Sequence, residues 1–495
     1  MTRILPALAL GAVAFAGVWG ITTGAGPGLD PDSMSYLHAA TTLAHGGALR
    51  DVQRDWASAD STMPLAHWPP GYPATIAGAE RAGLGAVQAA RFVGAFSASV
   101  SIAIVVWLVG GVAGAGVVAG LLVMVTPAIV QVHESVLSEP LFIALLVATL
   151  AAMVRAPDRP SVAGVLAGVA SLVRYAGISV VGGVVLWQLA RAGTVRQRFA
   201  RAAVAGLPAV LLQGAWVLRT MQSAGSSSIR QISLYGEITS TLREGWGTTS
   251  AWLVPGMGEV WGIFVAAGVA VLLVVAIWES RPLRERQSAA MAAALLAACY
   301  LALVLASRLF ADPGIPLDDR LMAPLLVLLE VAMVLVVAPA WRRWPLAARV
   351  TVALLVVLWW GAALRVSAGS ALYAVQTGND FAEDCWRDSP LAAWVRANGT
   401  GRSMYTNAPE ALYFHAGRLS HELPEEMDAN TVRAFTDTLA RRRALVADFD
   451  ESCGAVSNSD SVLSRVPLRV VATMATGRVL ESIPDSERLV AVSPR

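Results

Sequence analysis

Long apolar runs divide this sequence, and each has about the length that a helix needs to cross a bilayer. A helix of roughly 20 residues spans the roughly 30 Å hydrocarbon layer. Inside lipid the backbone has no water to bond, so such runs must be helical. The sequence therefore predicts a mostly α, polytopic membrane protein of about eleven transmembrane helices, at 4–23, 88–109, 112–131, 138–154, 161–175, 176–190, 202–220, 258–279, 288–307, 321–340 and 349–367.

Composition agrees with a chain that lies mostly in lipid. Of its 495 residues, 56% are hydrophobic and only 15% are charged, whereas a soluble domain carries about 25% charged residues. The net charge of +2 gives no reason to expect a nucleic-acid partner. Every basic residue is Arg, with no Lys, and Ala, Gly and Val abound. This bias is typical of a GC-rich bacterial genome.

The loops between the predicted spans form two sets that differ in their number of Arg residues. Cytoplasmic loops are enriched in Arg, and one set holds about twelve Arg and is joined by Arg3. We therefore predict a multi-pass protein of the bacterial inner (plasma) membrane, with the amino terminus cytoplasmic and the carboxyl terminus outside. The loops of this set are 155–160, 191–201, 279–287 and 341–349.

This orientation divides the chain into two predicted domains. Residues 1–367 form a transmembrane domain with a first outer loop, 24–87, and a second outer loop, 221–257. The first apolar run could also be a signal peptide, but it is long for one, so we interpret it as a retained helix. The tail, 368–495, has soluble composition and is predicted to be a small extracytoplasmic α/β domain.

Local patterns in the tail support mixed helices and strands. Ser389 and Asn430 are predicted helix caps, and "SMYTN", "RALVADF" and "LRVVATM" have the composition of strands. Cys385 and Cys453 both lie in this tail. Outside the cell they could form a disulfide, and the sequence leaves their pairing open.

Two carboxylates follow the first span in "GPGLDPDSMSYLHAA", namely Asp30 and Asp32. Tyr36 comes four residues after Asp32, so in a helix both side chains share one face. The segment could be a structural cap with an Asp at the helix N-cap. It could also place a reactive carboxylate at the membrane surface.

A second motif, "HWPPGYP", follows in the same loop and contains His67 and Tyr72. Paired prolines fix their own φ angles, and the second keeps the first out of the helical region. We therefore predict a rigid, aromatic bend here rather than a regular helix.

Ionisable residues recur where predicted spans reach the outer face. Glu139 opens a span in "SEPLF", close to His133 and Glu134. Such residues at membrane depth favour a functional role, although Glu139 could simply stabilise a helix N-terminus. Four arginines also lie on this side: Arg174 and Arg320 favour phosphate binding, whereas Arg219 and Arg308 are expected to snorkel.

Taken in order, these motifs resemble the GT-C membrane glycosyltransferases, and in particular the protein O-mannosyltransferase and aminoarabinose-transferase-like group. The resemblance covers about residues 1–367. Its pieces are Asp32 with Tyr36, "HWPPGYP", "SEPLF", "GVASLVRYAG", "WVLRT" and "DDRLMAPLL". Each motif is short, so the resemblance rests on the order of the motifs along the chain and on the side of the membrane where they are predicted to lie.

The resemblance implies transfer of a sugar from a polyprenyl-phosphate donor to an acceptor outside the membrane, with inversion. It implies Asp32 as the general base, mapped by the spacing to Tyr36, with Glu139 as a second catalytic residue, an acid that positions the acceptor or the base. It also implies that Arg174 or Arg320 binds the phosphate. The pocket would be lined by Tyr36, His67 and Tyr72.

The sequence departs from that group in two places. Related sequences often have Lys before the Pro-Pro pair, where this chain has Trp68. The second acidic site is a lone Glu139, without an Asp-x-Asp pair, so no obligatory metal or other cofactor is predicted. A divalent metal could still bind His67, His133 and Glu134.

The donor sugar and the acceptor are left open. A cell-envelope lipid, a polysaccharide or a protein would fit as acceptor, and membrane lipids surround the chain. One alternative is a transporter or flippase for a lipid-linked glycan, which should show broken helices and charges near the bilayer midplane. The other is a catalytically inactive GT-C-like assembly subunit.

Overall fold

The computed structural model describes residues 3–59, 62–110, 114–224, 233–235, 237–280, 284–424, 428–454 and 459–483. Helices account for most of this structure. They are α1 (Ile4–Ile21), α2 (Pro31–Ala44), α3 (Gly71–Arg81), α4 (Ala86–Val109), α5 (Ala115–Val125), α6 (Pro127–Glu134), α7 (Glu139–Arg155), α8 (Pro160–Val173), α9 (Gly177–Ala190), α10 (Val195–Ala224), α11 (Ile238–Leu253), α12 (Glu259–Ser280), α13 (Arg284–Phe310), α14 (Asp319–Ala340), α15 (Leu346–Thr377), α16 (Asp384–Arg387), α17 (Pro390–Asn398), α18 (Pro409–Ala416), α19 (Ala429–Arg442) and α20 (Asp460–Leu463).

Helices lie at each of the eleven predicted spans, which confirms a mostly α, polytopic protein. Among the described residues, seven helices are long and apolar enough to cross a membrane, and α5 with α6 makes an eighth if the bent pair is one span. The helices α8 and α9 are apolar but shorter. The seven are α1, α4, α10, α12, α13, α14 and α15.

The sixth helix continues the fifth after a 60° bend. Pro127 begins α6, and its ring nitrogen cannot donate to the preceding turn. Thr126 lies at the break, and its hydroxyl donates to the Leu122 carbonyl at 2.9 Å. The span predicted at 112–131 is therefore a broken helix.

The chain forms two compact units. The first, the membrane unit, contains Met1–Thr23 and Ala66–Val375. The second, the sheet unit, contains Gly24–Leu65 and Gln376–Arg495. These units differ from the predicted division near residue 367, because much of the first outer loop packs with the tail.

A five-stranded mixed sheet forms the centre of the sheet unit, in the order β2-β1-β3-β5-β4. The strand β1 runs parallel to β2 and β3, and β5 runs antiparallel to β3 and β4. The strands are β1 (Met404–Thr406), β2 (His421–Glu422), β3 (Leu445–Phe449), β4 (Leu468–Met474) and β5 (Gly477–Ser482). The α/β prediction for the tail is confirmed, and the sequence missed β2 and β5.

Two helix caps and a disulfide stabilise the sheet unit. Ser389 accepts a hydrogen bond from the amide of Ala392, as predicted for the start of α17. The predicted cap at Asn430 is wrong, because Asp428 caps α19 instead. Cys385 and Cys453 form a disulfide, with their Cα atoms 5.3 Å apart.

Candidate functional site

Three helix ends of the membrane unit bring Glu139, Arg174 and Arg320 together. The Arg174 Nη1 lies 2.7 Å from Glu139 Oε1, and the Arg320 Nε lies 2.6 Å from the same oxygen. The Glu139 side chain has no exposed surface, whereas those of Arg174 and Arg320 are 15% and 29% exposed. One buried carboxylate therefore orients two guanidinium groups that are both partly exposed. We call these three residues the Glu139 triad.

Local chain geometry places each member of the triad. Glu139 is the first residue of α7, where a carboxylate is favoured by the helix dipole. Arg174 follows the last turn of α8 in extended conformation, which turns its side chain out of the helix. Its Nη1 also donates to the Ser138 hydroxyl at 2.9 Å. Arg320 lies in the first turn of α14.

The acidic residues before Arg320 have their own partners. Asp318 caps α14 by accepting from the amide of Leu321 at 2.8 Å. The Asp319 carboxylate accepts from the Trp252 indole at 2.7 Å. Both contacts fix the start of α14 and so the position of Arg320.

The "HWPPGYP" segment packs against the end of α8. A Cβ atom at Gly71 would lie 2.7 Å from the Leu172 carbonyl oxygen, so this contact requires glycine. The prediction of a bend without helix is wrong in part, because Gly71 begins α3 directly after the prolines. Tyr72 is buried, and His67 is exposed with its ring 4.6 Å from that of Trp68.

The other two predicted site residues, Asp32 and Tyr36, belong to the sheet unit. Asp30 occupies the N-cap position of α2, although its side chain makes no capping bond. Asp32 follows in the first turn, and Tyr36 is buried at 1% exposure. The N-cap position thus falls on Asp30 and not on Asp32.

A cavity of about 270 Å³ lies inside the membrane unit, and its walls are almost entirely apolar. Ile143, one turn beyond Glu139, is part of its wall. His133 and Glu134 supply polar groups: His133 Nδ1 lies 2.7 Å from the Ile129 carbonyl, and Glu134 accepts from Ser370 at 3.1 Å.

Sequence reasoning missed one buried carboxyl group, that of Glu330 in the middle of α14. Glu330 is 6% exposed and accepts a hydrogen bond of 2.6 Å from Thr126, the residue at the bend between α5 and α6. Ionisable residues are therefore present inside a predicted span as well as at the span ends that the sequence analysis singled out. A single Glu inside "PLLVLLEVAMVL" was the available signal.

Arg308, which was expected to snorkel, has a specific partner in the structure. Its guanidinium makes a two-pronged ion pair with Glu244 of α11, at 3.0 and 2.5 Å. This hydrogen bonding holds the pKa of the Glu244 carboxyl below its usual range. Arg219 instead lies over the Trp216 ring, 4.7 Å from its centroid. Neither arginine joins the Glu139 triad.

A bound metal ion needs several converging ligands. No three His, Cys, Asp or Glu side chains in the described part of the chain could hold a metal ion, and this includes His67, His133 and Glu134. The absence of a metal requirement stays a prediction.

Similarity to solved structures identifies the fold of this polytopic helical chain as the GT-C fold. The predicted resemblance is therefore confirmed for the fold. Similar solved structures include ArnT from Cupriavidus metallidurans bound to undecaprenyl phosphate, with a TM-score of 0.61 and 13% identity over 98% of this chain and 99% of that one.

Two further transferases have the same fold. The archaeal oligosaccharyltransferase AglB from Archaeoglobus fulgidus, in complex with an inhibitory peptide and a dolichol-phosphate, gives a TM-score of 0.56 at 11% identity, over 90% of this chain and 69% of that one. The arabinofuranosyltransferase AftD from Mycobacteria gives 0.60 at 15%, over 97% of this chain and 40% of that one. In sequence alone, no family model and no curated protein matches this chain.

Proposed function

We propose that this protein is a membrane glycosyltransferase that moves a sugar from a polyprenyl-phosphate donor to an acceptor hydroxyl or amine at the extracytoplasmic face. The Glu139 triad, in a chain with the GT-C fold, is the observation that carries this proposal. Three solved proteins of this fold are glycosyltransferases, and ArnT was solved with undecaprenyl phosphate.

The triad has the chemistry of a phosphate site. Guanidinium groups bind phosphate oxygens through charge-assisted, often bidentate hydrogen bonds. Both guanidinium groups contact Glu139 Oε1, so the triad carries two positive charges against one negative charge. Glu139 acts by holding Arg174 and Arg320 in place before the donor binds, which lowers the entropy lost on binding.

The apolar cavity supports a lipid-borne donor. Its lining is almost entirely hydrocarbon, and it reaches Ile143, close along α7 to Glu139. An isoprenoid chain is the part of the donor that such a cavity suits, because burial of apolar surface contributes about 25 cal/mol per Å². The donor phosphate would then be bound by the triad.

Asp32 is the residue we propose as general base. The acceptor oxygen or nitrogen attacks the anomeric carbon and forms the new bond, while Asp32 takes its proton. The bond from the anomeric carbon to the phosphate oxygen breaks, and the carrier phosphate leaves with the electron pair. A single displacement of this kind inverts the anomeric centre. A positioned base typically contributes 10²–10⁴-fold.

The two arginines stabilise the leaving group. Negative charge grows on the phosphate as the bond to carbon breaks, so bonds from Arg174 and Arg320 strengthen in the transition state. Tyr36, His67 and Tyr72 remain proposed contacts to the substrates. We propose a pentose or hexose donor and a cell-envelope lipid, polysaccharide or protein acceptor, in the bacterial plasma membrane with the carboxyl terminus outside.

The test measures transfer by full-length protein in nanodiscs. Radiolabelled undecaprenyl-phosphate-linked pentoses and hexoses serve as donors, and native membrane extract supplies acceptors. We expect Arg174→Gln and Arg320→Gln each to lower kcat/KM about 10- to 100-fold, because hydrogen bonds to charged groups contribute about 1.5–3 kcal/mol. Arg159→Gln, at the other end of α8, is the matched control and should transfer like wild type. Equal rates for all three variants would refute the phosphate site.

One observation favours a second candidate, a transporter of a lipid-linked glycan. Glu330 lies in the middle of α14 and contacts the broken α5–α6 span, and such features occur in transporters. Reconstituted vesicles with a fluorescent lipid-linked sugar would test this. If the protein is a transporter, Glu330→Gln should abolish movement of the sugar across the bilayer. If vesicles with the wild-type protein move the sugar no faster than empty vesicles, the transporter function is excluded.

A further inference from the structure

The segment that contains Asp32 is built into the sheet unit by backbone bonds. The amide of Leu29 donates to Asn379 at 3.3 Å, and Phe381 donates back to the Leu29 carbonyl at 3.2 Å. The amide of Glu422 in β2 donates to the Arg54 carbonyl at 2.9 Å. Residues before and after α2 are therefore fixed to the tail at two separate places.

Two polar links connect α2 and the loop after it to α18. In the first, His38 Nδ1 lies 3.0 Å from the Tyr413 hydroxyl, and the two rings meet edge to face at 5.2 Å. Tyr413 follows Glu410 by three residues, so both side chains lie on one face of α18. The His38 ring is itself buried.

The second link is a chain of side chains that ends at Glu410. The Ser35 hydroxyl donates to Asp51 Oδ1 at 2.7 Å. The backbone amide of Gln53 donates to the same carboxylate oxygen at 3.4 Å, and the side-chain Nε2 of Gln53 donates to Glu410 Oε1 at 3.1 Å. Ser35, Asp51 and Glu410 are all buried. Buried polar chains of this kind fix geometry, because each lost partner leaves a group that water cannot reach.

Burial and neighbouring charges act on two ionisable groups of these links, Glu410 and His38. Burial raises the pKa of the Glu410 carboxyl, the bond from Gln53 opposes this, and the negative charges of Asp51 and Asp32 raise it further. His38 faces the same region, and its pKa is lowered by burial, raised by Asp51 and lowered by Arg54. Burial therefore disfavours the charged form of both Glu410 and His38.

We propose that Glu410 and Tyr413 of α18 are positioning residues for Asp32, so that the sheet unit forms part of the catalytic machinery. This inference rests on the proposed function, in which Asp32 is the base. Glu410 and Tyr413 hold α2 through Ser35 and His38, which are residues of that helix. Neither Glu410 nor Tyr413 is proposed to contact the substrate. A base displaced by about 1 Å can lose about 10²-fold in rate.

The experiment combines kinetics with hydrogen exchange on full-length protein in nanodiscs. Tyr413→Phe keeps the ring and removes the hydroxyl, and Glu410→Ala removes the acceptor for Gln53. We expect each to lower kcat at least 10-fold with KM for the undecaprenyl-phosphate-linked sugar unchanged. We also expect faster amide exchange over 31–44, with β3 and β5 still protected. Glu410→Gln keeps an acceptor oxygen and should restore most of kcat.

Glu451→Ala is the matched control, because Glu451 is exposed in the same unit. It should change neither readout. Unchanged exchange over 31–44 in both Tyr413→Phe and Glu410→Ala would overturn the proposal, as would a rise in KM at constant kcat. If wild type transfers no sugar, the proposed function fails. The exchange measurement then decides alone whether α18 holds α2.

Discussion

Removal of the Glu139 charge should destabilise the membrane unit by a predictable amount. Glu139→Gln keeps the side-chain shape but leaves Arg174 and Arg320 without the carboxylate that lies 2.7 and 2.6 Å from them. Breaking a buried ion pair by removing one partner costs about 3–5 kcal/mol. Since both arginines are partly exposed and regain some hydration, we expect the lower end, about 3 kcal/mol.

Two comparison variants make this prediction specific. Arg174→Gln leaves Glu139 paired with Arg320, so its cost should be smaller, about 1.5 kcal/mol for one charged hydrogen bond. Glu259→Gln removes an exposed carboxylate from the first turn of α12. A surface change of this kind is expected to stay within about 0.5 kcal/mol.

The assay is reversible unfolding of full-length protein in mixed micelles, followed by tryptophan fluorescence as the fraction of denaturing detergent rises. The predicted order of destabilisation is Glu139→Gln, then Arg174→Gln, then Glu259→Gln. If Glu139→Gln is as stable as Glu259→Gln, the carboxylate does not hold the two arginines. A preorganised phosphate site built on Glu139 would then be refuted.

Three further predictions concern other parts of the chain. Gly71→Ala should lower transfer, because its Cβ would lie 2.7 Å from a backbone oxygen of α8, whereas Gly78→Ala on the same helix meets nothing within 4 Å and should transfer normally. Reduction of the Cys385–Cys453 disulfide should destabilise the sheet unit by about 2–4 kcal/mol, measured by its unfolding with and without reductant. Burial raises the pKa of Glu410, so the folded state binds this proton more tightly than the unfolded state. Stability should therefore fall as pH rises from the ordinary Glu value through the raised pKa, and Glu410→Gln should flatten that part of the pH profile.

The membrane helices could be predicted because their signal is local. An apolar run of the right length specifies a helix in lipid whatever surrounds it, and each predicted span contains helix. The bend at Thr126 was not predicted, although Pro127 marks it. A proline can begin a new helix or continue a kinked one, and only packing decides between them.

The assignment of Gly24–Leu65 to the sheet unit could not be read from the sequence. It depends on contacts such as Leu29 with Asn379 and His38 with Tyr413, whose partners are far apart along the chain. The short edge strand β2 was missed for a related reason, since two residues are too few to show the alternation of apolar and polar residues that indicates a strand. Its place follows from pairing with β1.

The candidate site was predicted in part. The sequence selected Glu139, Arg174 and Arg320 separately, and the structure shows that they meet on one carboxylate oxygen. It did not predict Glu330, because one Glu in an apolar run has no partner visible in the sequence. The ion pair of Arg308 was not predicted, since its partner Glu244 lies in a different helix.

The central claim is that Asp32 is the base of a sugar transfer, and one comparison tests it most directly. Transfer from radiolabelled undecaprenyl-phosphate-linked sugars to acceptors in native membrane extract is measured in nanodiscs for wild type, Asp32→Asn and Asp30→Asn. Asp30 is the matched control, because it is a second Asp two residues away at the N-cap position, where its side chain makes no capping bond that the change to Asn could remove. We predict that Asp32→Asn lowers transfer by about 10²–10⁴-fold while Asp30→Asn stays close to wild type. Transfer by Asp32→Asn at the wild-type rate would contradict the account.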